Sequence, residues 1–386
     1  MINSEWSNLV KNIRHHYQQD FVPLHEPTFG KSELNYVTDC IKTGWVSSVG
    51  SYVDGFEKAL AEMVGVKRAV AVVNGTAALQ IALKVAGVKE NDEVIMPSLT
   101  FIATANAVTY LQAIPHFVDV TERTLGLDPL KLDMYLSSVG SMQNDVLINK
   151  ETGRVIRAVV PMHTFGHPVE LDELIAVCEK YHLILVEDAA ESLGSYYKGK
   201  HTASFGKVNA MSFNGNKIVT TGGGGAILTD DEALANYAKH LTTTAKVPHK
   251  WAYVHDEIGY NYRMPNLNAA LGCGQLEKVE KFVEAKRELT VFYDDILSKI
   301  NGVTLFKEPI HTKSNYWLQT ILLDDSMNRD EVLTYLNEQG VMSRPIWQPM
   351  HTLSMYENCP KGDLTVVESL NKRIINIPST PLITSK

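Results

Sequence analysis

Cysteine is scarce in this chain of 386 residues, and the few cysteines lie far apart in the sequence. There is no C-x-x-C pair, and no histidine stands near a cysteine at metal-ligand spacing. This pattern excludes a disulfide framework and gives no indication of a metal site. We therefore expect reduced thiols in a cytoplasmic protein; the cysteines are Cys40, Cys178, Cys273 and Cys359.

Long apolar runs and basic clusters are also missing. No run reaches the length that spans a bilayer, and the first residues, MINSEWSNLVKNIRHHYQQD, lack the apolar core of a secretion signal. The formal net charge is -8, without the basic stripe that nucleic-acid binding requires. A nicotinamide-dependent sugar oxidoreductase lacks support too, because no G-x-G-x-x-G separates an early strand from a helix. We expect neither nucleic-acid nor membrane partners.

What the chain does contain is enough apolar sequence for more than one core. Its length exceeds that of most single domains, and 45% of its residues are hydrophobic. Strand and helix patterns alternate, as in AVAVVN, GTAALQIALKVAG and EVIMP, which predicts an α/β fold with a mostly parallel sheet and helices on both faces. A long amphipathic helix from Pro265 to about Lys299 marks a domain change. The predicted domains are residues 1–264, an N-terminal segment with a large domain, and 265–386, a linker helix with a small α+β domain.

The stretch from Val186 to Thr229 organises the prediction of function. Its first strand ends at Asp188, and a later strand, VNAMSF, leads through Ser212 to Lys217 and then to four glycines. A lysine among apolar residues and glycines differs from a solvated surface lysine, because other groups can approach it closely. We interpret Lys217 as a Schiff-base lysine and Asp188 as the partner of a pyridinium nitrogen, which together predict pyridoxal 5'-phosphate as the cofactor.

Further candidates lie at the carboxyl ends of other predicted strands. Gly75 and Thr76 begin a helix, where free N–H groups and the helix dipole favour an anion such as phosphate. Phe101 opens the next helix and is placed to cover one face of a flat ring. His163 follows a third strand and could contact ring or substrate, although a loop histidine bonded to its neighbours is the simpler interpretation.

Substrate contacts are predicted from two other regions. The loop GWVSSVGS combines Trp45 with hydroxyl groups, among them Ser48, and this mixture suits stacking and hydrogen bonding as well as a plain helix connection. The C-terminal part holds four side chains that could close over a substrate, namely Tyr316, Arg344, Trp347 and His351.

The chain resembles the DegT/DnrJ/EryC1/StrS family of sugar-nucleotide aminotransferases over nearly its whole length, from about Pro23 to Pro381. Five motifs match in the family's order: NGTAAL, PSLTFIATANA, VEDAAES, SFNGNK with its glycine run, and GYNYRMPNLNAA. Five ordered motifs make a chance match very improbable. The resemblance implies a fold-type I, pyridoxal phosphate-dependent enzyme, in which a large sheet domain precedes a small C-terminal domain.

The resemblance also implies roles for individual residues. Lys217 would bind the cofactor and move the proton, Asp188 would pair with the pyridine N–H, and Phe101 would stack on the ring. Ser212 would join Gly75 and Thr76 at the phosphate, and Glu191 would be a further cofactor contact. In relatives an asparagine of the neighbouring subunit completes the phosphate site. Here that residue would be Asn261, with Arg263 as second choice, so we expect a homodimer with shared sites.

The substrate expectation comes from the resemblance alone. Many members have an acidic residue where this chain has Gly223, and Gln or His where it has Glu191. This variant resembles the branch that aminates UDP-4-keto-6-deoxy-N-acetylhexosamines, with glutamate as the amino donor. Some relatives lack the lysine and are dehydratases that remove a sugar hydroxyl. Because Lys217 is present here, transamination is preferred over dehydration. Two alternatives stay open: a GDP- or dTDP-linked 3- or 4-keto sugar as the acceptor, and a cofactor- or sugar-binding sensor without turnover.

Overall fold

The computed structural model describes residues 4–383. Its α-helices are α1 Ser4–Tyr17, α2 Lys31–Thr43, α3 Ser51–Val64, α4 Gly75–Val85, α5 Ile102–Thr109, α6 Pro129–Val139, α7 Leu171–Lys180, α8 Glu232–Thr242, α9 Asn266–Leu276, α10 Val279–Leu297, α11 Arg329–Glu338 and α12 Thr365–Asn371. Its strands are β1 Arg68–Val72, β2 Glu93–Pro97, β3 Ile114–Val118, β4 Gly140–Gln143, β5 Val146–Asn149, β6 Val155–Val159, β7 Ile184–Leu185, β8 Tyr196–Tyr197, β9 Lys200–His201, β10 Asn209–Ser212, β11 Gly225–Thr229, β12 Val303–Leu305, β13 Thr312–Lys313, β14 Gln319–Leu323, β15 Arg344–Pro345 and β16 Ile374–Ile377.

The large sheet has a parallel centre. β2 pairs in parallel with β3 and with β6, and β6 pairs in parallel with β7. These strands are almost wholly buried, as expected where helices cover both faces of a sheet. The hairpin β4–β5 adds an antiparallel extension. The predicted parallel α/β architecture is therefore confirmed.

A second group of strands continues this sheet past β7. β11 is antiparallel to both β1 and β10. Beyond the end of β7, the Ala210 N–H of β10 donates to Glu187 O (2.9 Å), and the Ala189 N–H donates to Ala210 O (2.9 Å). These bonds hold Asp188 between β6 and β10, at the centre of the sheet's carboxyl edge.

The C-terminal part has its own core. β12, β14, β16 and β15 form an antiparallel sheet in that order, and its apolar face joins one side of α10. Helix α1 packs into the same core through residues such as Trp6 and Ile13. The first helix thus packs with the C-terminal part, whereas the predicted division groups it with the large domain; the boundary at residue 265 stays a prediction.

The predicted long helix from Pro265 to Lys299 is wrong in one respect, because two helices, α9 and α10, occupy this range. The chain turns at Glu277 and Lys278 because the two helices pack against different partners. α9 lies on α2 and α3, whereas α10 lies on α1 and the C-terminal sheet. Gly272 allows the close packing of α9, since a Cβ there would come within 2.6 Å of the Phe56 ring.

Several short elements are absent from the sequence-based prediction. The sequence analysis does not predict helix α6, the hairpins β4–β5 and β8–β9, or the central strand β16. These strands are only two to four residues long, which leaves little periodicity to detect. Helix α6, by contrast, has the signals of a helix, with Asp128 as its cap and Leu132, Leu136 and Val139 on its buried side. All four cysteines are free thiols, and Cys40 and Cys178 are buried. Among residues 4–383, no helix has the length and apolar character needed to cross a membrane.

A glycine where the large sheet meets the C-terminal part provides a test of this packing. Gly166 has φ +94°, and a Cβ there would overlap the Asn315 side-chain oxygen. We expect Gly166→Ala to lower the free energy of unfolding by about 3 kcal/mol, because it adds steric overlap to backbone strain. Gly153, with φ +72° and open space around it, is the matched control, for which Gly153→Ala should cost about 1 kcal/mol. Urea unfolding of both variants measures the difference; equal losses would contradict the packing.

Candidate active site

A cavity of about 320 Å³ opens at the carboxyl edge of the large sheet, against the C-terminal part. Strand ends, the first turn of α4 and a loop from the C-terminal part contribute to its wall. The lining residues are Asn74, Gly75, Thr76, Leu79, Phe101, Ala103, Met162, Asp188, Ala190, Glu191, Ser212, Asn214, Asn216, Lys217, Trp317 and Trp347.

One end of the cavity is suited to an anion. Asn74 caps α4 by accepting a hydrogen bond from the Ala77 N–H (2.8 Å). The N–H groups of Gly75 and Thr76 stand before the first full turn, so no helix carbonyl can accept their hydrogen bonds. Gly75 lies against Ser212, and a Cβ on it would come within 2.7 Å of Ser212 Cβ. Amides, a hydroxyl and the positive end of the helix dipole are thus concentrated where a phosphate could bind.

Asp188 supplies a buried carboxylate at the other end. Its Oδ2 accepts a hydrogen bond from Thr104 Oγ1 (2.7 Å), and its Oδ1 accepts one from the Ala190 N–H (3.2 Å). Burial raises the pKa of Asp188 in spite of these bonds and of nearby Lys217. A cationic N–H group placed in the cavity would therefore stabilise the ionised form of this side chain.

The amine of Lys217 projects into the same cavity and pairs with a second buried carboxylate. Lys217 Nζ donates to Glu191 Oε1 (3.2 Å), while the Phe165 N–H donates to Glu191 Oε2 (2.8 Å). Burial raises the pKa of Glu191 to about 7, against the opposing effect of the Lys217 charge. Phe165 can direct its N–H this way because its backbone is left-handed, with φ 55°. The amine can thus exchange a proton with a carboxylate that titrates near neutrality.

Aromatic rings form one side of the cavity. Phe101 is 47% exposed, and its ring is 6.1 Å from that of Trp347, edge to face. Phe165 packs behind Trp347, with ring centroids 5.2 Å apart. Trp317 lies over Lys217, whose Nζ is 3.8 Å from the centre of the indole. A flat ligand between the phosphate-binding end and Asp188 would lie beside these rings.

The structure brings together seven of the eight residues that the sequence analysis assigned to a cofactor. They come from four separate segments of the chain and line one cavity: Gly75, Thr76, Phe101, Asp188, Glu191, Ser212 and Lys217. The eighth, Asn261, is exposed outside the cavity, and its side-chain oxygen accepts hydrogen bonds from Arg263 Nε (3.0 Å) and Nη2 (2.8 Å).

His163 does not reach the cavity. It is fully buried behind Asp188, where its Nδ1 accepts a hydrogen bond from the Val169 N–H (3.3 Å). The proton is therefore on Nε2, which donates to Glu187 Oε2 (2.9 Å). Burial raises the pKa of Glu187, but the contact with His163 and the N–H groups of Gly206 and Phe205 together outweigh burial, so the net pKa is lowered. The simpler interpretation of this histidine, as bonded to its neighbours, is the one that its position supports.

Two predicted substrate residues of the C-terminal part also lie away from the cavity. Tyr316 is buried, and its hydroxyl oxygen accepts the Glu308 N–H (3.0 Å). His351 Nδ1 lies 2.7 Å from Ser98 Oγ, so this histidine joins the C-terminal part to the large sheet. Neither side chain closes over the cavity in this structure.

The remaining predicted substrate residues are at the surface. Trp45 is 58% exposed, and Asn266 fixes its loop by donating from Nδ2 to Trp45 O (2.7 Å). Ser48 is half-buried in that loop, and Arg344 is exposed on strand β15. These positions can contribute to a site only at its outer edge or towards another molecule.

The sequence analysis does not predict that Trp317 and Thr104 belong to the site. It names Trp347 only as one of several side chains that could close over a substrate. Trp317 adjoins Tyr316, which the sequence analysis chose instead. Tyr316 has a left-handed backbone with φ 47°, so the alternation of a regular strand does not decide which ring faces the cavity. Thr104 lies one helical turn after Thr100, and its bond to Asp188 depends on how α5 packs.

Comparison with known proteins assigns a family to this arrangement. The model of the DegT/DnrJ/EryC1/StrS aminotransferase family matches residues 27–386. EpsN of Bacillus subtilis strain 168, named as a pyridoxal phosphate-dependent aminotransferase, is 37% identical over 360 residues, which are 92% of this chain and 90% of EpsN. The GDP-perosamine synthase of Escherichia coli O157:H7 is 36% identical over 367 residues, 95% of either chain. A DegT DnrJ EryC1 StrS aminotransferase from Brucella abortus superposes with a TM-score of 0.82 at 28% identity, covering 92% of this chain and 91% of its own.

The buried Glu191 predicts a pH-dependent stability. The folded chain keeps the Glu191 proton up to a pH of about 7, whereas the unfolded chain loses it near the ordinary pKa of 4.5. Stability contributed by this group is therefore lost as pH rises from about 4.5 to 7. Glu191→Gln has no proton to lose. Its free energy of unfolding should therefore rise by about 3 kcal/mol relative to that of the natural protein as the pH increases over this range. Urea unfolding of both proteins without cofactor at pH 5, 6, 7 and 8 measures the gain; a constant difference would contradict it.

Proposed function

The chain belongs to the DegT/DnrJ/EryC1/StrS aminotransferase family, and we propose that it transfers an amino group from glutamate to a GDP-linked keto sugar. The family's enzymes depend on pyridoxal 5'-phosphate and have the fold-type I architecture, so this protein is a pyridoxal phosphate-dependent sugar-nucleotide aminotransferase. It is therefore an enzyme and not a sensor without turnover. The observation that carries the proposal is the cavity in which a lysine amine, a buried aspartate and a helix N-terminus converge.

The residues present fit the cofactor. Gly75, Thr76 and Ser212 would hold its phosphate, because the close approach of Gly75 to Ser212 leaves amides and a hydroxyl free at the start of α4. Asp188 would hold the protonated ring nitrogen, which is the cation that its buried carboxylate lacks. When bound, the cofactor supplies an electron-poor ring that withdraws electrons from the carbon undergoing amine exchange.

The chain's own residues handle the proton. Lys217 can attach the cofactor through its amine and, once free, can take a proton from one carbon and return it to another. Glu191 Oε1 lies 3.2 Å from that amine and its pKa is raised to about 7, so the ionised carboxylate can accept the proton that the lysine has taken up. Phe101 and Trp347 limit the access of water from one side. Each of these roles needs only side chains that line one cavity.

The identity of the nucleotide rests on likeness. The predicted main substrate is UDP-linked, but a relative of 36% identity over 95% of the chain is named for a GDP-linked product. The alternative of a GDP-linked acceptor is therefore better supported than the UDP-linked one. The donor, glutamate, is proposed from the family resemblance.

We also propose that the enzyme is a homodimer that shares its active sites. Residues 243–261 form an arm whose two sides bridge at Thr243 and Asn261 and at Lys246 and His255. The arm exposes large apolar side chains, including Tyr253 at 81%. Exposed apolar surface of this kind is typical of contacts between proteins. A second copy that covers the arm would bring Asn261 towards a neighbouring cavity.

The nucleotide preference is tested with three acceptors. Purified enzyme with pyridoxal 5'-phosphate and glutamate is given GDP-, UDP- or dTDP-linked 4-keto-6-deoxyhexose, the UDP sugar carrying the N-acetyl group, and 2-oxoglutarate release is followed. We expect kcat/KM for the GDP-linked sugar to exceed the other two at least about tenfold, because a base-specific contact is lost with the wrong nucleotide. Lys217→Ala is the control and should release none. A higher kcat/KM for the UDP-linked sugar would instead support the acceptor predicted from the sequence.

Sharing of sites is tested by mixing two inactive variants. Lys217→Ala lacks the reactive amine, and Asn261→Ala lacks the residue proposed to serve the neighbouring site. After joint unfolding and refolding, a mixed dimer would contain one intact site, so about a quarter of the natural activity should return. Mixing Lys217→Ala with Asp188→Ala is the matched control, because both changes affect residues of the same cavity. Each cavity of that mixed dimer carries one of the two changes, so this control should recover no activity. Recovery in the control, or no recovery in the first mixture, would contradict the role of Asn261.

A further inference from the structure

Lys217 is held from two sides. Its side chain is 13% exposed, and its Nζ lies 3.2 Å from Glu191 Oε1 and 3.8 Å from the centre of the Trp317 ring. An ammonium group over an indole face at this distance is attracted by the ring's electron density, and more strongly where water is excluded. The lysine amine therefore has a defined resting position between the carboxylate and the ring.

Trp317 is fixed in place by bonds to the lysine's own loop and to the C-terminal part. Its indole Nε1 donates to the carbonyl of Asn216 (2.7 Å), the residue just before Lys217. Its backbone N–H donates to Asn315 Oδ1 (2.8 Å), and the side chain is only 5% exposed. The ring consequently cannot turn away from the lysine without breaking a hydrogen bond.

The same short segment also fixes the other partner of the lysine. Asn315 Nδ2 donates to the carbonyls of Glu191 (2.9 Å) and Leu193 (2.9 Å). The backbone that carries Glu191 and the ring of Trp317 are thus connected through one asparagine of the C-terminal part. Both contacts of the amine are set by one hydrogen-bonded unit.

We propose that Trp317 is a positioning residue for Lys217, and that its ring face together with Glu191 holds the free amine whenever the lysine is not joined to the cofactor. The inference rests on the proposed function only in assigning Lys217 as the attachment point. An amine that returns to one place is ready for each new proton transfer and each reattachment. Other titratable groups near it are Asp188 and, from the N-terminal part, His25, whose pKa is lowered by burial.

The first test measures how fast the amine reacts. Full-length protein without cofactor is treated with a low concentration of acetic anhydride at pH 7.5, and acetylation of Lys217 is followed by mass spectrometry relative to exposed Lys42. The ring covers the amine and holds it beside Glu191, so loss of the ring should release the amine and accelerate labelling. We expect Trp317→Leu to react about 3- to 10-fold faster than the natural protein, and Trp317→Phe, which keeps a ring face, to stay within about twofold.

Trp347→Leu is the matched control, because it removes an indole of the same cavity that does not lie over the lysine. Its labelling rate should rise clearly less than that of Trp317→Leu. Equal acceleration in Trp317→Leu and Trp347→Leu would show that opening the cavity is sufficient, and equal acceleration in Trp317→Phe and Trp317→Leu would show that the indole N–H bond is what matters. Either result overturns the proposal, as does an unchanged rate in Trp317→Leu.

A second measurement leaves Trp317 in place and does not depend on the folding of its variants. The protein is produced with 5-fluorotryptophan, and its five tryptophans are observed by fluorine magnetic resonance. Lys217→Met should shift the Trp317 signal more than the other four, whereas Lys217→Arg, which keeps a cation, should shift it less. A Trp317 signal that is unmoved by Lys217→Met would overturn the proposal. Amination of the sugar is not measured in either test, so the proposed function can hold while this inference fails.

Discussion

Burial of two carboxylates within one turn is the constraint on which the site depends. Asp188 and Glu191 are both almost inaccessible to water, and charged groups are removed from water only when partners compensate them. Glu191 has such a partner in Lys217, together with the Phe165 N–H. Asp188 has two neutral donors and needs a cation. The protonated ring nitrogen of the proposed cofactor would meet this need, so holding the cofactor and stabilising the fold at this point would be linked.

The sheet makes this arrangement possible by holding the carboxylates rigidly. Asp188 lies between β6 and β10, where backbone bonds from both sides fix its position. Because β10 ends at Ser212 and leads to Lys217, the strand that supports Asp188 also places the hydroxyl and the amine. Helix α4 packs against β10 and brings its first turn to Ser212. Four segments distant in sequence thereby converge through ordinary strand pairing and helix packing.

Much of the cofactor site could be predicted from the sequence, because its residues lie at ends of elements that local patterns reveal. Gly75 begins a helix, Asp188 ends an apolar strand, and Lys217 precedes four glycines, so each is marked by its neighbours. No local sequence pattern identifies Trp317 as a residue of the site. Its place over Lys217 depends on a left-handed residue before it and on Asn315, which binds a turn more than a hundred residues away. The turn between α9 and α10 also depends on tertiary packing. The two helices pack against different partners, but the amphipathic pattern of the sequence continues from one to the other.

The residues proposed to carry the chemistry and the surface positions predicted to meet the substrate therefore lie in different parts of the chain. The residues that would hold the cofactor line one cavity and are recognisable from short motifs. Three of the positions predicted to meet the sugar nucleotide lie instead at the surface, namely Trp45, Ser48 and Arg344. Surface loops can change without disturbing the buried carboxylates, because few of the bonds that fix Asp188 and Glu191 involve them. Motifs around Lys217 can therefore indicate amine transfer reliably without identifying the nucleotide. Likeness over the whole chain, which includes those loops, is therefore a better guide to the acceptor than the motifs alone.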